Sequence, residues 1–348
     1  MSTGAVSGLV RSGLLAQLVA DNAATQTQMN KLTQQSASGK VADTYGGLGD
    51  TASVSIDLRP QMARVQAWQQ SISMANTTLD TTQNVLGQLE SIATSFSTQA
   101  LGTTMQSASA AAAVAAQAQV ALQQVVGLLN TQSNGQYTFA GADSANPPID
   151  GTALAAFTAT IGTQVAGLNT GSDPTTLVAS LVNTAGTATF TYPAGAGPAA
   201  LQTQTGDGQS VPTAFVAGTN SFPPAQNSGT GSYVRDLITG LAGLAGLNTT
   251  TASQNTLATY GASISQLLQG AAGAITNDQA GFGQVQSELT TQGTNLSDTL
   301  TSLNKQVSGA EDVDMASTAT ALSQVQTQLQ ASYQLIAGLK QLSLTTYL

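Results

Sequence analysis

From Leu58 onward the apolar residues recur at every seventh position: Leu58, Val65, Ile72, Leu79 and Leu86 on one line, Trp68, Ala75, Leu89 and Phe96 on a second. A repeat of seven held over about five heptads specifies a helix whose apolar seam needs a partner helix to cover it. Pro60 falls near the start of the repeat, where a missing N–H and a fixed φ are tolerated. A second run, Met105, Ala108, Ala112, Ala115, Leu122, Val126 and Leu129, is alanine-rich and lets another helix approach closely. Toward the other end Leu289, Leu296 and Leu303 again repeat at seven, and Met315, Leu322, Val325, Leu329, Ile336 and Leu339 carry the habit to the last residues. The expected stem core is Leu58, Val65, Trp68, Ile72, Leu79, Leu86, Leu89 and Phe96, with the single tryptophan anchoring the seam.

Proline divides the chain. Eight of the nine prolines lie between positions 147 and 224, and only Pro60 lies elsewhere. Between Tyr137 and about Thr251 the pattern turns to short apolar or alternating runs broken by Gly, Pro, Asn and Asp, such as Thr187 to Gly195 and Ser210 to Gly218, which read as strands. Tyr137 and Phe139 alternate in a candidate strand at the entry to this segment. The fold class predicted is mainly α: a long antiparallel coiled-coil or helical-bundle stem built from both termini, with a β-rich insert in the middle. The corresponding division is 1–45 with 305–348 as a terminal assembly domain, 46–136 with 252–304 as the stem, and 137–251 as an outer insert.

The composition narrows the chemistry. Histidine and cysteine are absent, which removes His- and Cys-based nucleophiles, zinc sites, disulfides and thiol redox chemistry. Charged residues make up 7% of the chain, against about 25% in an ordinary soluble protein. With a net charge of −9 there is no cationic stripe for nucleic acid or an anionic membrane. The glycine runs Gly46-Gly47-Leu48-Gly49 and Gly281-Phe282-Gly283 lack a following Lys-Ser/Thr and the strand–loop–helix setting of a phosphate loop. Glu311, Asp312 and Asp314 form the one tight acidic group, read as helix N-terminal carboxylates. The expectation is therefore a non-enzyme with no catalytic residues, cofactor or metal. No apolar run reaches the length of a bilayer span, so membrane insertion is not expected. Gly13 to Ala20 could form the apolar part of a secretory signal, but the helical pattern runs on through Met29 and Leu32, so no cleaved signal is expected.

No Lys or Arg lies between Arg64 and Arg235, a stretch with no site for trypsin-like proteases that suits life outside the cell. Each terminal segment shows one apolar stripe and cannot bury it alone. The positions Leu14, Leu18, Met29, Leu32, Leu322, Leu329, Ile336 and Leu339 are thus expected to pack against neighbouring copies, ordering as they do so.

A resemblance joins these readings. Gln28 to Lys40 (QMNKLTQQSASGK), then Ser55-Ile56-Asp57-Leu58-Arg59 and the heptad helix, resembles the N-terminal region of bacterial flagellins and their relatives. Glu311 to Ala316, Leu322-Ser323, Leu329 to Ser332 and Leu342 to Leu348 are similar to the other end of that family. Within it, Asn134 to Gly141 (NGQYTFAG) with Pro147 and Pro148 resembles the signature of hook–filament junction members, carried here by Tyr137, Phe139 and Gly141. The resemblance implies a structural adaptor at the hook–filament junction, extracellular, exported by the flagellar type III apparatus. Its implied partners are copies of itself, a neighbouring hook-associated protein, flagellin and an export chaperone. The filament subunit itself and a secreted coiled-coil adhesin are the alternatives.

Overall fold

A computed structural model describes residues 3–102, 105–192, 199–222 and 229–344, with side chains from 16 to 338 apart from 214. The elements in order are α1 (Thr3–Ser38), a single turn α2 (Tyr45–Leu48), α3 (Ala52–Leu101), α4 (Ala108–Leu129), β1 (Gln132–Ser133), β2 (Gln136–Tyr137), α5 (Gly151–Val165), α6 (Pro174–Thr187), β3 (Leu201–Gly206), β4 (Gln209–Ala214), α7 (Tyr233–Ala245), α8 (Gln254–Glu311) and α9 (Met315–Leu344). The fold is mainly α with long terminal helices, as the periodicity requires. The chain divides into two compact units, Met1–Gln66 with Ser297–Leu348, and Ala67–Leu296.

In the central unit the heptad seam of α3 is buried: Ile72, Ala75, Leu79, Leu86, Leu89 and Phe96 are all covered, while Trp68 is only half-buried. From residue 85 the stripe widens to take in Val85, Ile92 and Ala93. The alanine-rich α4 starts on a Ser107 cap that accepts from the Ala110 N–H, and it packs on α7. Contrary to the expectation that no segment reaches membrane-spanning length, this 22-residue helix does so by length and composition. Alanine scores as apolar over the whole window, yet burial is confined to one face through Ala111, Ala115, Ala118, Leu122 and Val125. The opposite face carries Gln119, Gln123 and Gln124, as on the core helix of a bundle.

Every residue of α7 is buried. Glycines let it sit that deep, because a Cβ at Gly240 or Gly243 would meet Leu268 or Tyr260. Its Arg235 is fully buried and is the first cation after the long gap. The guanidinium donates to the carbonyls of Ala185, Ala188 (3.0 Å), Thr191 (3.1 Å) and Tyr192 (2.7 Å), and lies 5.3 Å from the centre of the Phe190 ring. It thereby ties the end of α6 to the segment that follows, the Ala185 carbonyl also accepting from the Ala188 N–H (3.2 Å). Beside it Asp236 accepts from the N–H and hydroxyl of Thr230, and burial pushes its carboxyl up to about 6. Asp278 of α8 accepts from the N–H groups of Ser221 (2.9 Å) and Phe222 (3.0 Å), and burial again raises its pKa.

Within residues 137–251 helix outweighs strand, and of the two small sheets only β3–β4 lies wholly inside that segment, β1–β2 ending at its first residue. Each sheet is a two-stranded antiparallel hairpin, β1–β2 and β3–β4. Of the strand expected over Ser210 to Gly218, Ser210 to Ala214 lies in β4 and 215–218 fall outside it, whereas Thr187 ends α6 and residues 188–192 form no strand; 193–195 lie outside the described residues. The physical cause is visible in the spacing. Leu154, Phe157, Ile161 and Val165 recur at helical intervals behind an Asp150 cap, and Leu177, Val178, Leu181 and Ala185 do so behind Asp173-Pro174.

Pro60 also differs from the expectation. The helix begins at Ala52, so the proline is interior and removes the hydrogen bond to the Ile56 carbonyl, on a half-exposed turn that water can reach. In each glycine run one member, Gly47 or Gly281, is needed for packing. A Cβ at Gly281 would collide with the Phe222 ring, and the Phe282 ring beside it lies tilted 3.9 Å from that of Phe215 and edge-on 5.2 Å from that of Phe222, centre to centre. Gly47 makes room for Ala42.

Candidate assembly surface

The terminal unit holds the residues expected to mediate assembly. Its helices α1 and α9 pack on each other. They run antiparallel, since Lys40 bridges Asp312 at one end and Gln26 Nε2 donates to the Tyr333 hydroxyl (2.6 Å) further along. Leu18, Met29, Leu32, Leu322 and Ile336 are half-buried and Leu329 is buried; the side chains of Leu14 and Leu339 lie outside the described residues. One line of each helix is thus partly covered by its mate. What remains open is substantial: Val19 is 59% exposed, Tyr333 47% and Leu335 62%. Val54, Ile56 and Met315 in the same unit are also exposed.

The chain ends are tied where the helices reverse. The α1 helix stops at Ser38 because Gly39 adopts φ +70°, the left-handed conformation that closes a helix. The chain then bonds to the exit of α8: the Val41 N–H donates to the Glu311 carbonyl (2.7 Å) and the Val313 N–H to the Gly39 carbonyl (3.0 Å). Side chains reinforce the crossing. Lys40 Nζ reaches Asp312 Oδ1 at 2.6 Å and Glu311 Oε2 at 3.4 Å. Arg59 Nη2 donates to both oxygens of Glu311 at 2.7 Å, Arg59 Nε to Oε1 at 3.0 Å, and the Ser55 hydroxyl to the same carboxylate.

Such fork-like pairing is the strong form of a charged hydrogen bond. It holds the Glu311 carboxyl below the usual carboxylate range, chiefly through Arg59 and then Ser55, and Lys40 does the same for Asp312. The acidic trio therefore splits. Asp314 alone caps α9, accepting from the Ala316 and Ser317 N–H groups at 2.9 and 3.3 Å. Glu311 closes α8 instead, at a helix end where a carboxylate is unfavourable and where two cations offset it. The partners of this clamp, Lys40, Ser55 and Arg59, were missed by spacing alone; their only sequence trace is that two of the eight cations sit beside the first helix boundary and the start of the second.

Tyr137, Phe139 and Gly141 come together in the central unit, in the turn that follows α4. Asn134 (φ +54°) and Gly135 (φ +77°) form the tip of the β1–β2 hairpin, the backbone that an Asn-Gly pair favours. Phe139 is fully buried, Tyr137 half-buried, and Gly141 (φ +57°) donates its N–H to the Phe215 carbonyl at 3.0 Å.

A family model of the bacterial flagellin N-terminal helical region matches residues 13–144, and one of the bacterial flagellin C-terminal helical region matches residues 265–348. Together they span 216 of the 348 residues, from both ends and in the expected order, and the chain belongs to the bacterial flagellin family. It is accordingly a structural protein of the bacterial flagellum, an extracellular component that assembles with copies of itself and with other flagellar components. Among solved structures, one described as a flagellar hook-associated protein from Vibrio parahaemolyticus is similar at 12% identity, covering 77% of this chain and 99% of that one with a TM-score of 0.42. No curated protein matches the chain.

Proposed function

We propose that this flagellin-family subunit is the adaptor at the hook–filament junction, docking through its terminal helices. The observation that carries the reading is the one-sided cover of α1 and α9. They pair with each other along Leu18, Met29, Leu32, Leu322, Leu329 and Ile336, yet leave Val19, Tyr333 and Leu335 open to a neighbour. Burying such side chains drives association, and ordering of the helix ends is coupled to it. The choice of the junction over the filament is supported by Tyr137, Phe139 and Gly141 with Pro147 and Pro148 behind them.

Removing residues 329–348 should abolish assembly and leave the central unit folded. Continued polymerisation or docking of the truncated protein would refute the docking mode. Electron microscopy of a deletion strain decides the place: hooks without filaments and flagellin shed into the medium mean a junction adaptor. Loss of the filament material itself, with no shed subunit, means the filament subunit; motile cells that adhere poorly mean an adhesin.

A further inference from the structure

A groove of about 500 Å³ opens in the central unit between α3 and the two hairpins. It is within the size range of small-molecule sites. Three features set its chemistry. First, no Asp, Glu, Lys or Arg is among the described residues that line it, so nothing there attracts a phosphate, a carboxylate or an ammonium. Second, it is edged by four exposed amides, Asn134 and Gln136 from the first hairpin and Gln202 and Gln204 from β3. None of the four makes a side-chain hydrogen bond with another described residue, so each offers both a donor and an acceptor. Third, apolar surface lies among them. Met74 and Leu201 are two of only four large apolar side chains that stand exposed in this unit among the described residues, and both face this groove, with the half-buried Tyr137 beside them.

The walls are fixed before any ligand arrives. The Tyr137 N–H donates to the Ser144 carbonyl at 3.0 Å, and the hydroxyls of Thr203 and Thr213 bond across the β3–β4 pair at 2.7 Å. This bracing confines the ordering cost of binding to the side chains, chiefly the four unbonded amides. Neutral amides alternating with small apolar faces match one class of ligand: a molecule with many hydroxyls, no charge, and C–H faces that lie on an aromatic ring or a thioether. We propose that this groove binds an uncharged saccharide of one or two rings. The site lies in the central unit and shares no residue with the docking surface, so it stands or falls independently of the junction reading.

The test uses the full chain with methyl-labelled methionine, the Met74 signal being assigned with Met74→Leu. Neutral disaccharides (lactose, maltose, diacetylchitobiose) and the anionic sialyllactose are titrated to millimolar concentration. The expected result is a saturable shift of the Met74 methyl with at least one neutral sugar. Gln204→Glu, an exposed change that puts a charge in the groove, should weaken it about tenfold, as should Gln202→Ala with Gln136→Ala. No shift with any neutral sugar overturns the proposal, as does a shift that these variants leave unchanged, or binding of the anionic sugar alone. A Met74 shift that follows protein concentration without sugar overturns it too, since the groove would then be a contact between copies.

Discussion

The terminal unit and the central unit spend the same kinds of side chain in opposite ways. Of the 64 apolar residues that are buried among the described residues, seven belong to the terminal unit: Leu48, Val65, Leu303, Val307, Ala310, Val325 and Leu329. Of the eleven large apolar residues that are exposed, the same unit holds seven, although it contains 118 of the 348 residues. Cations divide as sharply: all but Arg235 lie in the terminal segments, and Arg235 is buried. The central unit closes its own core, while the terminal unit holds its reversal point with ion pairs and leaves apolar side chains exposed.

The largest effect that tests this contrast is proteolytic. Trypsin should remove the ends by cutting at Lys31, Lys40, Arg64 and Lys305, the Arg59–Pro60 bond being resistant, and stop at residues 65–305, because its one remaining target there is Arg235. Cleavage at Arg235 in the native protein, seen by mass spectrometry, would mean the central core is not closed.

Next in size is Arg235→Met. It leaves four carbonyls without their donor in a buried place and should destabilise the central unit by about 3–5 kcal/mol, read by urea unfolding. Gly261→Ala should cost about 1–3 kcal/mol, since a Cβ there meets the Ala100 carbonyl, which is backbone and cannot turn aside. A melting temperature unchanged by it would show that the α3–α8 approach is looser than described.

Acid separates the units by sign. The folded pKa of Asp236 is raised to about 6, so the native state binds its proton more readily than the unfolded chain between about pH 4 and 6. Asp236 should therefore contribute a gain of about 1 kcal/mol to the central unit on going from pH 7 to pH 5, and Asp236→Asn should remove that share and leave the part that comes from the raised Asp278. Glu311 and Asp312 are shifted downward, so their contribution stays intact over that interval and is lost only as pH falls through the lowered values, below about 4. Calorimetric transitions of the truncated and full proteins across pH 3 to 7 would expose a shared sign. The smallest effect is Glu311→Gln, about 1 kcal/mol at pH 7 on the terminal unit, modest because Arg59 is half exposed.

Much of this contrast is legible in residue order. The seventh-position leucines of α3 and α8 determine long helices, since no other structure places Leu289, Leu296 and Leu303 on one side, and all three are buried. The one-sided stripes of α1 and α9 could likewise be read, because an amphipathic helix needs a partner wherever it sits. Helices α5 and α6 were obscured by Gly, Thr and Ala, which suit strand and turn as well as helix. Their Asp150 and Asp173 caps were the signal that separates the cases.

What order alone determined, then, is that both ends are helical, that they need covering, and that His and Cys chemistry is impossible. Only the tertiary structure decided where the few charges go. Glu311 meets Arg59 across 252 residues and Arg235 meets carbonyls more than forty residues behind it. Periodicity reports the face that a residue shares with its near neighbours. A carboxylate or a guanidinium is paid for by whatever folding brings to it, and that partner leaves no spacing to read.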